Sequence, residues 1–364
     1  MSTLERNNLF SDIIDIECFV DNIPFPFITG IDFDHKVDAA RVVKVFVGGI
    51  ESTSLLRIGS NITIKVGTNE TNHNLDFQGI ITEINPSYNE SSFTAFDLVT
   101  QLQSSEIVEY KRNDVIGEDL YMLASNACNY KDIDTSELVE GSGILATDDM
   151  ELTGLMTRRK FIDKCFRYLV DVRDDNFHKS VVALQWRYAI RRNNIMDFWL
   201  EDPTNLTTKP LMTVSDDSNF LIGAGVLANI NSSTMVNSAT YQSSKDSSLF
   251  VTVTDDDSVA RHGVYGKVFK LSTSRRDRLE ELAYQTVLLH KEPTLTYNIV
   301  MNGGEHITLG DYIEVKVPTL GKKEILPVVG VKHTFTDSVS STITLGNPSL
   351  SISQLIGRRT SLKK

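Results

Sequence analysis

Apolar and polar residues alternate at both ends of the chain, and a helical spacing replaces the alternation in the middle. In 12–20, DIIDIECFV, one face collects Ile14, Ile16, Cys18 and Val20, and in 41–49 another collects Val43, Val45 and Val47. A period of two over such runs predicts half-buried strands. Further strands are predicted at 61–66, 75–84 and 93–99. Five or so antiparallel strands within the first hundred residues predict a small barrel or sandwich. Beyond Gln103 the period changes: Leu120, Leu123, Ala124 and Ala127 form a helical stripe in 117–128, and Phe161, Cys165, Tyr168 and Val172 form another in 157–172. The segment between them, 135–149, is polar and contains glycine, which predicts a loop. Strand-like runs follow at 180–188 and 196–202. A third helix is predicted after Ser274, with Asp277 completing a capping-box variant, Leu279, Leu282, Ala283 and Leu289 as its stripe, and Pro293 as its stop. From Leu295 the alternation returns in TYNIVMN, in 327–335 and in 341–345, and Gly303-Gly304 reads as a hairpin turn.

One phrase is written twice. RIGSNITIKVG (57–67) returns as TLGDYIEVKVP (308–318), 251 positions later. Gly59 falls on Gly310, Ile62 on Ile313, Lys65 on Lys316 and Val66 on Val317. Without a gap, Gly79 falls on Gly330. A duplicated β module is the expectation, placed on either side of an α+β middle.

Composition narrows the class. The 364 residues suffice for two to three domains, and 41% hydrophobic with 23% charged residues is a globular balance. The start, MSTLERNNLFSD, lacks the apolar core of a leader, and the apolar run 220–230 is shorter than the ~20 residues that a bilayer requires. No membrane insertion is expected, and synthesis in a cytoplasm follows. Cys18, Cys128 and Cys165 form no metal or disulfide spacing and read as small core residues. A formal charge of −12 disfavours sequence-specific nucleic-acid binding and suits a duct through which DNA slides.

Candidate chemistry is sparse. Asp255, Asp256 and Asp257 before His262 could tempt a metal, but consecutive residues of an extended chain point to opposite faces and the EF-hand spacing is absent. LIGAGVLA (221–228) matches a phosphate-binding turn, yet an Asn- and Ser-rich run follows it where that turn needs a helix. The seven histidines, at 35, 73, 178, 262, 290, 306 and 333, show no zinc spacing, and His290 suits a helix C-terminus. Glu280 and Glu281 read as a solvated helix face. Trp186 and Trp199 sit inside strand-like runs, which favours packing over sugar stacking. The concentrated basic features are KKEILP and the tail bearing Arg358, Arg359, Lys363 and Lys364; such a terminus reads as a mobile arm, with a contact to an acidic partner as the sharper alternative. No catalytic, cofactor-binding or metal-binding residue is therefore assigned, and no cofactor is expected.

The order of segments, with SVARHGVYGK (258–267) before the late helix and EPTLTYNIVMNGGEHITLGDYIEVKVP (292–318) after it, resembles bacteriophage tail hub proteins. The relatives in view are the baseplate hub of contractile-tailed phages and the late control protein D family. Arg57 to Gly67 departs from their Gly-Asp pattern, with Ser60 after Gly59. The resemblance implies an α+β, mainly β chain: two tail-tube-like antiparallel β-barrel domains with an α+β domain inserted between them. The implied division is a first barrel at 1–105, a middle domain at 106–206, the first part of the second barrel at 207–253, a helical return of the middle domain at 254–293, the remainder of the second barrel at 294–346, and a basic tail at 347–364. It further implies a homotrimer in the virion, assembled in the host cytoplasm, whose six barrels match a hexameric tail tube to a trimeric spike or tail tip and line the channel for DNA ejection. Tail tube protein, spike or tip protein and baseplate wedge proteins are the implied partners, with the tape measure protein a further contact. A chain ending soon after the second module leans toward a contractile tail. Two other readings stand beside this one. A tail-associated cell-wall hydrolase needs a cleft with two carboxylates or a zinc triad, and a carbohydrate-binding β protein needs exposed aromatics grouped on loops.

Overall fold

The computed structural model describes residues 14–346, except 49, 69–70, 104–105, 139–140, 176–179, 193–194, 202–209, 216–217, 219–220, 318–321 and 337. The basic tail, the start of the predicted 12–20 strand and the end of the second copy of the repeated phrase lie outside the described residues.

Alternation builds the first module from β1 (Ile14–Val20), β2 (Ile23–Pro24), β3 (Ile28–Lys36), β4 (Val42–Gly48), β5 (Asn61–Thr68), β6 (Thr71–Asn85) and β7 (Glu90–Asp97). Its six principal strands lie in the antiparallel order β3-β4-β7-β6-β5-β1. Val43, Val45 and Val47 are fully buried, as the period of two requires. They share a core with Phe33, Phe77 and Phe93, and Phe33 meets Phe77 edge to face at 6.1 Å between centroids.

After β7 the chain turns helical. The elements are α1 (Val99–Gln103), β8 (Val108–Tyr110), α2 (Arg112–Val115), α3 (Leu120–Cys128), β9 (Gly154–Met156) and α4 (Arg158–Tyr168), then the sheet β10 (Val170–Asp175), β11 (Ser180–Arg192) and β12 (Ile195–Glu201). The α3 stripe of Leu120, Leu123, Ala124 and Ala127 is buried. That helix begins at Leu120 because the Asp119 carboxylate accepts the N–H groups of Tyr121 and Met122 at 2.8 and 3.2 Å, a cap worth about 1 kcal/mol. Thr157 caps α4, which buries Phe161 and Cys165. Its predicted stripe is too long by a turn: the helix stops at Tyr168, and Val172 belongs to β10.

The rest of the chain comprises β13 (Met212–Ser215), β14 (Leu221–Asn231), β15 (Ser238–Ser243), β16 (Phe250–Thr254), α5 (Asp256–His262), β17 (Gly266–Leu271), α6 (Arg276–His290), β18 (Thr294–Asn302), β19 (Tyr312–Val317), β20 (Lys322–Phe335) and β21 (Val339–Gly346). The second module has the order β14-β18-β21-β20-β19-β13, and β15, β16 and β17 form a separate sheet against α6. Residues 238–253, expected in the second barrel, therefore pair outside it.

Three expectations change on this background. The two modules are not separately closed barrels: they join in one 13-stranded sheet, because the β3 edge pairs with β20 instead of closing its own module. The Gly303-Gly304 turn does not make a hairpin, since β18 bonds to β14 and β21 while β19 bonds to β20 and β13. The capping box at Ser274 does not form either. Arg275 stands at the N-cap of α6, makes no side-chain cap bond there, and pairs with Asp277 at 2.6 Å.

Candidate functional site

The feature that organises the molecule is the seam between the two modules. Residues Gly330 to Phe335 of β20 pair antiparallel with Lys36 to Ile31 of β3, and Val37 N–H extends the ladder to the Val329 carbonyl at 3.1 Å. Side chains reinforce it on both faces. Thr334 Oγ1 donates to Asp32 at 2.7 Å, Lys332 reaches the same carboxylate at 3.4 Å, and Phe335 packs edge to face on Phe33 at 5.8 Å. The seam is sealed by buried polar groups. His333 bonds Ser341 at 2.8 Å, and burial aided by His306 drives its imidazole down to about 4. Nearby, the Asp97 carboxylate accepts the N–H groups of Arg41 and Val99 at 2.9 and 3.1 Å. Burial pushes that acid up to about 6, against the pull of Arg41.

The repeated phrase forms the same structure in both modules. Gly59 and Gly310 take positive φ values of 92° and 82°, a backbone region that glycine enters without steric cost. Gly59 N–H donates to Ile81 and Gly310 N–H to Val328, at 2.8 and 2.9 Å; Ile81 N–H returns to Ser60 and Val328 N–H to Asp311. The ladders correct the ungapped frame. Ile62 faces Gly79, but Ile313 faces Leu326, so Leu326 and not Gly330 is the counterpart of Gly79. In that corrected frame the bulge at Thr82 in β6 falls on the bulge at Val329 in β20.

A polar lock ties the middle of the chain to the first module. Asp38 pairs with the buried Arg187 at 2.8 Å and accepts the N–H of Tyr188 at 3.2 Å. Arg159 donates to the Asp38 carbonyl at 2.5 Å and stacks over Tyr188, whose hydroxyl donates to Asp163 at 2.6 Å. No motif announced this lock; its members are scattered over 150 residues and only the fold brings them together.

The residues that the sequence singled out are placed elsewhere. Asp255 caps α5 by accepting the Ser258 N–H at 2.9 Å and pairs with Lys291 at 2.9 Å; the lysine first and the cap second hold its pKa below the usual carboxylate range. His262 meets Glu292 at 3.1 Å. Among the described residues, no group of three or more His, Cys, Asp or Glu could hold a metal ion. Residues 221–228 lie in β14, a strand and not a phosphate-binding turn. Cys18, Cys128 and Cys165 are buried and free, and burial pushes the Cys18 thiol up to about 12. A cleft between α6 and 144–150 is lined by Ile144, Met150, Tyr168, Arg278 and Glu281; its glutamate is paired with Arg278, so no carboxylate pair faces the opening. No described helix is long and apolar enough to cross a membrane.

No family model matches the chain, and no curated protein matches it in sequence. Solved structures do match its fold. The tail protein from Neisseria meningitidis MC58 is 11% identical, with a TM-score of 0.61 over 92% of this chain and 97% of that one. The 43 kDa tail protein of prophage MuSo2 from Shewanella oneidensis is 10% identical, with a TM-score of 0.60 over 93% and 99%. Prophage tail protein gp18 from Listeria monocytogenes EGD-e is 13% identical, with a TM-score of 0.52 over 96% and 100%. The chain has the fold of phage and prophage tail proteins along nearly its whole described length.

Proposed function

We propose that the chain is the structural hub of a phage tail, seated in a baseplate or tail tip as a homotrimer in the virion. Three chains contribute six similar modules. Their ring meets a hexameric tail tube on one side and a trimeric spike or tip on the other, and its centre passes the DNA. Tail tube protein, spike or tip protein and, around them, baseplate wedge proteins are the partners. The observation that carries this reading is the repeated six-strand order, β3-β4-β7-β6-β5-β1 and β14-β18-β21-β20-β19-β13, joined in one sheet. A chain built of two similar modules is useful where an assembly must change from threefold to sixfold symmetry.

The same reading makes the chain a non-enzyme. Asp255, Glu281 and Glu292 are engaged in caps and ion pairs, which supports a scaffold over a hydrolase. Mass measurement of the purified protein and class-averaged electron images test the proposal together. A trimer with six-lobed density is expected; a compact monomer that degrades peptidoglycan overturns it. The formal charge of −12 is assigned to the channel wall, where it keeps DNA from sticking. A neutral or basic lumen in the assembled ring would remove that part of the proposal.

A further inference from the structure

Among the described residues, two of the open strand edges are the counterparts of the two that form the seam. In the first module β3 sits beyond β4; in the second β14 sits in the same place beyond β18, and no described strand pairs with its outer edge. The ladders align them: Ile31 faces Val45 as Val226 faces Ile299, and Phe33 faces Val43 as Ala228 faces Tyr297. The receiving edges correspond too. Beyond its bulge β20 accepts β3, whereas β6 beyond its bulge, at Glu83 to Asn85, has no described strand on that side. The two open edges lie on either side of the seam along the sheet.

Exposure marks the same places. Leu309, next to the seam, is 0% exposed, but its counterpart Ile58 is 70% exposed. Ile230 of β14 is 65% exposed. The strand LIGAGVLANIN carries no charge and no proline, the devices by which natural edge strands are kept from pairing.

We infer that β14 of one copy adds to the free half of β6 in the next copy, repeating between chains the pairing that β20 and β3 make within one. Transfer of the seam register sets Glu83 opposite Asn231, Ile84 opposite Ile230 and Asn85 opposite Asn229. The central pair is then apolar, and the neighbouring strand lies beside Ile58. Such a contact is heterologous, one edge meeting a different one, so it propagates head to tail until it closes. This inference rests on the ring reading for its closure at three copies.

The test is cross-linking between copies. A chain carrying both I84C and I230C, treated with a short bis-maleimide, is expected to give covalent dimers and trimers and nothing larger; an equal mixture of the two single variants gives dimers only. Cys18, Cys128 and Cys165 are buried and stay silent, as the unmodified protein will show. A second pair of variants reads the same contact without cross-linking: I84K with I230K in one chain should dissociate the assembly, and I84E with I230K should restore it. A protein that is trimeric by mass yet gives no cross-link overturns the strand pairing and leaves the ring. A protein that stays monomeric at every concentration overturns both.

Discussion

The two modules share a topology and differ at their margins. Both have the same six-strand order, the same glycine turn and a bulge at the same place. Yet β1 runs antiparallel to β5, whereas β13 runs parallel to β19, and the second module alone is split between β14 and β18 by the small sheet and α6. What a module must keep is therefore its inner ladder, and what it can change is the strand laid on its edge. The charges obey the same division. Lys65 faces Asp76 across the first ladder, but Lys316 faces Lys323 across the second, where Glu314 bonds both lysines at 3.3 and 2.8 Å. A like-charge pair is tolerated because a carboxylate is held between its members.

The comparison breaks most sharply at the aromatic end of the seam. Phe335 is 0% exposed, and counting from the shared bulge puts the exposed Tyr88 at its place in the first module. F335A should cost about 3–5 kcal/mol in denaturant unfolding, while Y88A should change stability by less than about 0.5 kcal/mol. Equal losses would mean that the seam contributes nothing special. A smaller effect is confined to acid. The imidazole of His333 titrates near 4 in the folded chain and at 6.5 when unfolded, so the unfolded state takes up the proton first and stability falls as pH drops from 6.5 toward 4. The loss reaches about 3 kcal/mol at the acid end. Asp97 works in the opposite sense between about 6 and 3.8, since its folded form holds the proton more tightly. The difference between the unmodified chain and H333Q isolates the histidine: the variant should lack its acid-dependent decline, and parallel pH profiles would refute the assignment. Least costly are the matched turns. G59A and G310A each force a side chain into positive φ and should each cost about 1–2 kcal/mol. Their near equality, read from unfolding midpoints, would sharpen the equivalence, and a large disparity would weaken it.

The sequence revealed the interior of each module better than its boundaries. Val43, Val45 and Val47 were legible because a period of two is written into adjacent residues, and Leu120 to Ala127 because a buried helical face repeats locally. The duplicated phrase was legible too, since a tight turn restricts which residues can occupy it. The alignment of Gly79 with Gly330 was misleading because the β5–β6 hairpin is four residues longer from Ile62 to its partner Gly79 than the β19–β20 hairpin is from Ile313 to its partner Leu326, and an ungapped frame has no means of detecting this. Gly303-Gly304 carried a hairpin's composition, but strand partners are chosen by the whole sheet. The seam was invisible for a related reason: Asp32 and Thr334 are 302 residues apart, and nothing in either neighbourhood names the other.

The strand β20 belongs to both modules, its first half bonded to β19 and its second to β3. A flexible tether would let the halves swivel; a shared strand acts as a beam. Tension directed along it loads all the seam's hydrogen bonds together, in shear, and only a pull across it can open them one after another. A ring made of such beams would transmit a push or a twist from one face to the other with little lost to internal bending.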